Sequence, residues 1–288
     1  MSPTPSHKPD MRKRLLALAD QPDHALDPAI TALMLEEDQP NELKGTAASY
    51  QLAALRGALA GTVNAVPRQI GESLLYWRAD RLGDVITGQF DFTCVDDDHD
   101  IPDAARLSKV LENRAGSPVA LGLLYMHIAQ SQGWEIEGLS FPGTFLLRLS
   151  QGSRRLIVDP SDGCRPLETY DLRDFLKAIE GVHAELRPHH YRSLGVREVL
   201  LRLQNLLKVR LLREDDLEEA LKVVERSMLF APGHADSWYE AGLIKFRLGR
   251  VQESIEDFEV YRQVCDEENR PRISTLLSQL KAQAASNP

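Results

Sequence analysis

Residues 116–129 read Gly-Ser-Pro-Val-Ala-Leu-Gly-Leu-Leu-Tyr-Met-His-Ile-Ala, and no other stretch restricts the fold as much. A serine followed by a proline marks a helix start. The hydroxyl caps an orphan N–H, while proline at the first helical position loses no hydrogen bond and already holds a helical φ. Gly116 reads as the residue that permits a tight turn into that cap. The apolar run then has no polar face, so a buried helix is predicted and the rest of the chain must pack around it. Its N-terminus gathers unpaired N–H groups and the positive end of the dipole, where an anion or an activated nucleophile is favoured.

Composition limits what such a chain can do. At 288 residues and 43% apolar, it can bury a sizeable core in about two domains. A formal net charge of -9 excludes a general nucleic-acid binder, which needs clustered Lys and Arg. Cys94, Cys164 and Cys265 are widely spaced and odd in number, so neither a disulfide framework nor a zinc site is indicated, and a reducing cytoplasm is the expected setting. Residues 1–10 are polar without a signal-peptide core, and no run reaches the roughly 18 apolar residues of a membrane span, so neither export nor membrane insertion is expected.

The first third reads as helical: 11–18, a helix capped by Asp27 with Pro28 at its first position, 49–59, and 70–82. Phe90, Phe92 and Cys94 alternate briefly. The acidic run 96–100 lacks the spaced ligands, turn glycine and distal Glu of a calcium loop and reads as solvated loop. A helix over 104–113 leads into the buried one, which Gly133 ends as a C′ residue. The period then changes: 136–139, 145–149 and 156–158 read as strands, the last two joined by a turn at 150–153, before a helix over 171–180. This is an α+β pattern.

From Arg197 onward the sequence is helical and repeats. Two units begin at Leu201 and Ala235, 34 residues apart; Leu211, Ala220 and Pro232 mark the first, and Trp238, Gly242, Gly249 and Phe258 the second. They resemble the tetratricopeptide pattern. The second unit carries Tyr261 where a small residue is usual and Asp266 where proline is usual, and a terminal helix over 271–284 reads as the cap of the stack. In such arrays the first helices line a concave face, which places Arg202, Asn205, Val209 and Leu212, then Asp236, Tyr239, Leu243 and Phe246, on it. A protein or peptide partner fits a groove of this composition, with Arg202, Asn205, Tyr239 and Phe246 as its contacts. The alternative is that this face only completes the packing of the chain.

The order Gly116-Ser117-Pro118, Phe141-Pro142-Gly143-Thr144-Phe145 and Val158-Asp159-Pro160 resembles the transglutaminase-like fold. There a Cys opens a buried helix, a His lies on one strand and an Asp on the next orients it. With the 107–118 motif and the repeat pair, the chain resembles the SirB family, transglutaminase-like bacterial proteins with C-terminal tetratricopeptides. The resemblance implies a papain-like α+β core with a helical N-terminal part, followed by helical hairpins. The expected ranges are a disordered tail over 1–10, the transglutaminase-like domain over 11–190 and the repeats over 191–288.

By that resemblance Ser117 or Pro118 falls at the cysteine position and Thr144 at the histidine position, leaving Asp159 as the retained acid. A serine without a base is a poor nucleophile, so a non-catalytic scaffold or regulatory protein acting through protein contacts is the preferred reading, with no metal and no cofactor. The rival is a hydrolase or acyl-transferase with a rearranged site based on Ser117 or Cys164. Cys164 reads as a partly exposed loop thiol with no catalytic partner; the alternative places it near the old site with its pKa lowered by Arg165. His127 reads as a hydrogen-bonded core or boundary histidine, and His183, His189 and His190 as linker histidines.

Overall fold

In the computed structural model the described residues are 8–36, 46–65, 73–95 and 103–286. The acidic run 96–100 and Ile70 lie outside them, as do residues 1–7 of the expected tail. Lys8 to Asp10 already belong to the first helix, α1 (Lys8–Ala19). By packing, the chain divides into two compact units: Pro22–Leu203, and a second that joins Met1–Gln21 to Gln204–Pro288. This division differs from the expected ranges in two places. It falls inside one long helix rather than at 190/191, and α1 packs on α9 (Leu217–Phe230) of the repeats through a chain end that carries no sequence mark of its destination.

In the first unit, α2 (Pro28–Glu36), α3 (Ala47–Ala65), α4 (Ser73–Gly83) and α5 (Leu107–Asn113) lead to α6 (Pro118–Ser131). Two of these starts are capped by carboxylates, one of them local and one from another helix. Asp27 caps α2 by accepting from the Ala29 and Ile30 N–H groups at 3.1 and 2.9 Å. The Glu36 carboxylate at the end of α2 accepts from the first two N–H groups of α5, those of Leu107 and Ser108. Every residue of α6 from Val119 to Ala129 is buried, as expected of a helix with no polar stripe. After α4 the chain widens into a π-type turn over Asp84–Gln89, so the alternating Phe90 and Phe92 are not in a strand; β1 is Thr93–Cys94 alone and pairs in parallel with β2 (Ala115–Gly116).

Beyond α6, the strands β3 (Glu135–Leu139), β4 (Leu146–Gln151), β5 (Arg154–Asp159), β6 (Arg165–Leu167) and β7 (Ser193–Leu194) form an antiparallel sheet in the order β6-β5-β4-β3-β7. Leu172 and Leu176 of α7 (Thr169–Glu180) cover one face against Leu139, Leu146 and Leu167. The other face meets α6 through Phe145, whose ring lies between Gly122 of α6 and Gly138 of β3. A Cβ on Gly122 would sit 2.2 Å from that ring and one on Gly138 3.1 Å from it. Strand alternation makes this consistent, since Leu139 faces α7 and its neighbour Gly138 must face α6.

The second unit continues α8 (Val196–Arg213) into α9, α10 (Ala235–Arg247), α11 (Val251–Val264) and α12 (Arg270–Ser286). Gly242 lets α10 approach α11, for a Cβ there would meet the Phe258 ring at 2.7 Å. Asp216 caps α9 through the Glu219 N–H at 3.2 Å, while the Glu219 carboxylate pairs with Lys222. Tyr261, too large for the usual pattern, packs 5.1 Å from the Tyr239 ring in a cluster that Ile273, Leu277 and Leu280 of α12 complete. The terminal helix covers it.

Candidate functional site

Ser117 is the residue expected at the nucleophile position. The backbone here is held at two residues: the Ser117 N–H donates to the Ala104 carbonyl at 2.8 Å, and the preceding Gly116, paired with Cys94, accepts from the Val95 N–H at 3.0 Å. Gly116 is required here by packing rather than by a turn, because a Cβ would lie 2.7 Å from Val110 Cγ1. The Ser117 hydroxyl accepts from the Ala120 N–H at 3.3 Å and the residue is 1% exposed. It therefore acts as a buried N-cap.

Thr144 lies in the bend before β4 rather than on the strand, with its carbonyl 3.5 Å from Arg202 Nη2. The Arg202 guanidinium lies 5.6 Å over the Phe145 ring, so this side chain clasps the 141–145 turn. Asp159 ends β5 at 7% exposed, and its Oδ1 accepts from the Ser161 N–H at 2.8 Å. Among the described residues no hydrogen bond joins Ser117, Thr144 and Asp159.

The surroundings of Asp159 are a thiol and a phenol. Cys164 is 1% exposed, with φ +62, on a loop that seats against α4, where a Cβ on Gly83 would lie 2.3 Å from the Gly163 carbonyl oxygen. Burial pushes the Cys164 thiol far up, and the charges of Asp159 and Asp80 push it further. The expectation of a partly exposed loop thiol is corrected here: the thiol is buried, and Arg165, the residue that could have lowered its pKa, pairs with Asp162 at 2.7 Å and Asp171 at 3.4 Å. Tyr125, fully buried two turns along α6, is likewise pushed up by burial and by Cys164 and Asp159. Every strong perturbation in this cluster favours the neutral, unreactive form.

His127 has a partner the sequence reading missed. Its side chain is fully buried and its Nδ1 lies 2.9 Å from both oxygens of Asp27. A lone polar residue in an apolar helix signals that some partner exists, but nothing local points to a residue 100 positions away. Burial pushes the Asp27 carboxyl up, yet the His127 hydrogen bond and charge, the Ile30 N–H and Arg56 outweigh it and hold the pKa below the usual carboxylate range. A depressed carboxyl contributes stability above its unfolded pKa that is lost as pH falls through its folded pKa. Asp27→Asn, which can still cap α2, is therefore expected to flatten the acid limb of stability, read by denaturation midpoints from neutrality down to pH values below the carboxylate range.

His190 is buried, accepts from the Arg187 N–H at 3.1 Å and meets Phe141 edge-on; His183 and His189 are exposed. No group of three or more His, Cys, Asp or Glu side chains that could hold a metal occurs among the described residues. On α10, Tyr239, Leu243 and Phe246 are 36%, 40% and 40% exposed at spacing i, i+4, i+7, which puts them in one stripe. On α8, the exposed Asn205 accepts from Lys208 Nζ at 2.6 Å, and Lys208 also pairs with Glu240. Among the described residues no helix is long and apolar enough to cross a membrane.

Comparison with known proteins agrees with this architecture. The model of the transglutaminase-like superfamily matches residues 48–205, more than half of the chain, and that of the tetratricopeptide repeat matches residues 207–281. A UPF0162 protein of Vibrio cholerae is 31% identical over 179 residues, covering 62% of this chain and 65% of that protein. A UPF0162 protein of Pseudomonas aeruginosa is 34% identical over 154 residues, with 53% and 56% covered. Protein SirB1 of Salmonella typhimurium is 29% identical over 182 residues, with 63% and 67% covered. The chain thus spans less than two thirds of the first two relatives. It belongs to the transglutaminase-like superfamily, as a SirB-family protein whose α+β domain is followed by tetratricopeptide repeats.

Proposed function

We propose that the chain is a non-catalytic, cytoplasmic member of its superfamily that works as a scaffold or regulator through a protein partner held on the repeats. The observation that carries the reading is the exposed Tyr239, Leu243 and Phe246 stripe on α10, three large apolar side chains in line on a helix of the family's interaction module. The opposing chemistry supports it. A catalytic site needs a nucleophile with a base in reach, whereas Ser117 caps a helix, Thr144 stands in the histidine position and the Cys164 thiol is buried beside acidic groups. The rival reading, a hydrolase or acyl-transferase with a rearranged site, needs one of those groups to be activated.

The test is co-purification from the native host with quantitative mass spectrometry. Leu243→Ala and Phe246→Ala are the cleaner variants, because Tyr239 also stacks on Phe258 and Tyr261 and its loss would disturb α11. Together they should reduce recovery of a specific partner by about tenfold or more, as expected when two anchors of a small interface are truncated at about 1–2 kcal/mol each. Recovery equal to that of the unaltered chain would sink the groove reading.

A further inference from the structure

One cleft of the first unit combines charges of both signs and lies well away from the degenerate triad. Its volume is about 190 Å³, and its walls include His24, Asp27, Arg56, His127 and Gln130. His127 is ten residues along α6 from Ser117, about 15 Å at helical rise, so the two places are chemically separate. The cleft volume equals about six waters of liquid at roughly 30 Å³ each, room for a molecule the size of a small amino acid.

The charges decide what fits. Asp27 is anchored: Oδ1 accepts from two backbone N–H groups of α2, and the buried imidazole of His127 lies 2.9 Å from each oxygen. Among the described residues Oδ2 is bonded by that imidazole alone, which leaves it a lone pair for another donor, and the side chain is 34% exposed. Arg56 is exposed on the facing helix α3, close enough for its charge to act on Asp27. A ligand with one negative charge meets the Asp27 carboxylate, and a ligand with one positive charge meets Arg56. A molecule carrying both, a short distance apart, meets an opposite charge at each end.

We propose that this cleft binds a free zwitterionic amino acid, with its ammonium on Asp27 Oδ2 and its carboxylate on Arg56. His127 fixes the Asp27 carboxylate in place from below, and Nδ1 carries the proton of that bond because a carboxylate only accepts. The site is independent of the α10 stripe, and neither reading depends on the other.

The experiment is ligand-observed NMR on the full chain with three probes of similar shape: L-alanine, propionate and ethylamine, at constant ionic strength. L-alanine should show saturable binding with a Kd on the order of 1 mM, and the two single-charge probes should bind at least about tenfold more weakly. Arg56→Gln, an exposed change, and Asp27→Asn, which keeps the helix cap, should each weaken L-alanine by about threefold to fivefold. Propionate or ethylamine binding as tightly as L-alanine would overturn the proposal in favour of a simple ion site. So would the absence of saturable L-alanine binding, or binding unchanged in both variants.

Discussion

Gly122→Ala is expected to destabilise the first unit by about 3 kcal/mol, at the upper end of the overpacking range. The added Cβ would lie 2.2 Å from Phe145 Cε1, and the opposite edge of that ring already packs on Gly138, where a Cβ would lie 3.1 Å from it. Trp77 and Trp134, whose rings lie 6.0 Å apart in the same unit, provide the fluorescence readout. At a denaturant dependence of about 2 kcal/mol per M, the urea midpoint should fall by about 1.5 M. Phe145→Leu in the Gly122→Ala background should recover part of the loss, a non-additivity that follows only if the two residues share one space.

Lys245→Met should cost the repeat unit about 3–5 kcal/mol, because it strands a buried carboxylate. Lys245 Nζ lies 2.7 Å from Asp257 Oδ2 and 3.5 Å from Glu225 Oε1, with the Lys245 and Asp257 side chains 9% and 8% exposed. Burial raises the Asp257 pKa, with Glu225 and Glu253 adding to it against the pull of Lys245. A carboxyl raised on folding opposes stability once ionised, so the deficit of the variant should be greatest at neutral pH and shrink as the pH falls into the carboxylate range. Lys245→Met with Asp257→Leu should cost less than Lys245→Met alone, since an apolar pair replaces a stranded charge. Thermal or urea midpoints of the repeat unit across pH check both statements.

The parts of the fold that were legible in the sequence are those written locally. Ser117 and Pro118 announce α6, Asp27 and Pro28 announce α2, and the runs around 136–139, 145–149 and 156–158 become β3, β4 and β5. The short strands β6 and β7 escaped because three and two residues carry no period, and their pairing is set by partners far along the chain. Gly116 was visible as important but for the wrong cause, since its need for space comes from Val110 and not from its own φ. The candidate site was legible only through the resemblance, which places a hydroxyl at 117 and a threonine at 144 where a cysteine and a histidine are expected. The burial of Cys164 and the Asp27–His127 contact were not, because each depends on which elements pack together.

A scaffold of the kind proposed holds no activated nucleophile. Treating the native chain with a serine-directed fluorophosphonate and with iodoacetamide near pH 7, then mapping the adducts by mass spectrometry, tests it most directly. The expected result is that Ser117 stays unmodified and Cys164 reacts only after denaturation, because one is a buried cap and the other a buried thiol with its pKa raised. Rapid, stoichiometric labelling of Ser117 or Cys164 in the folded protein would contradict it.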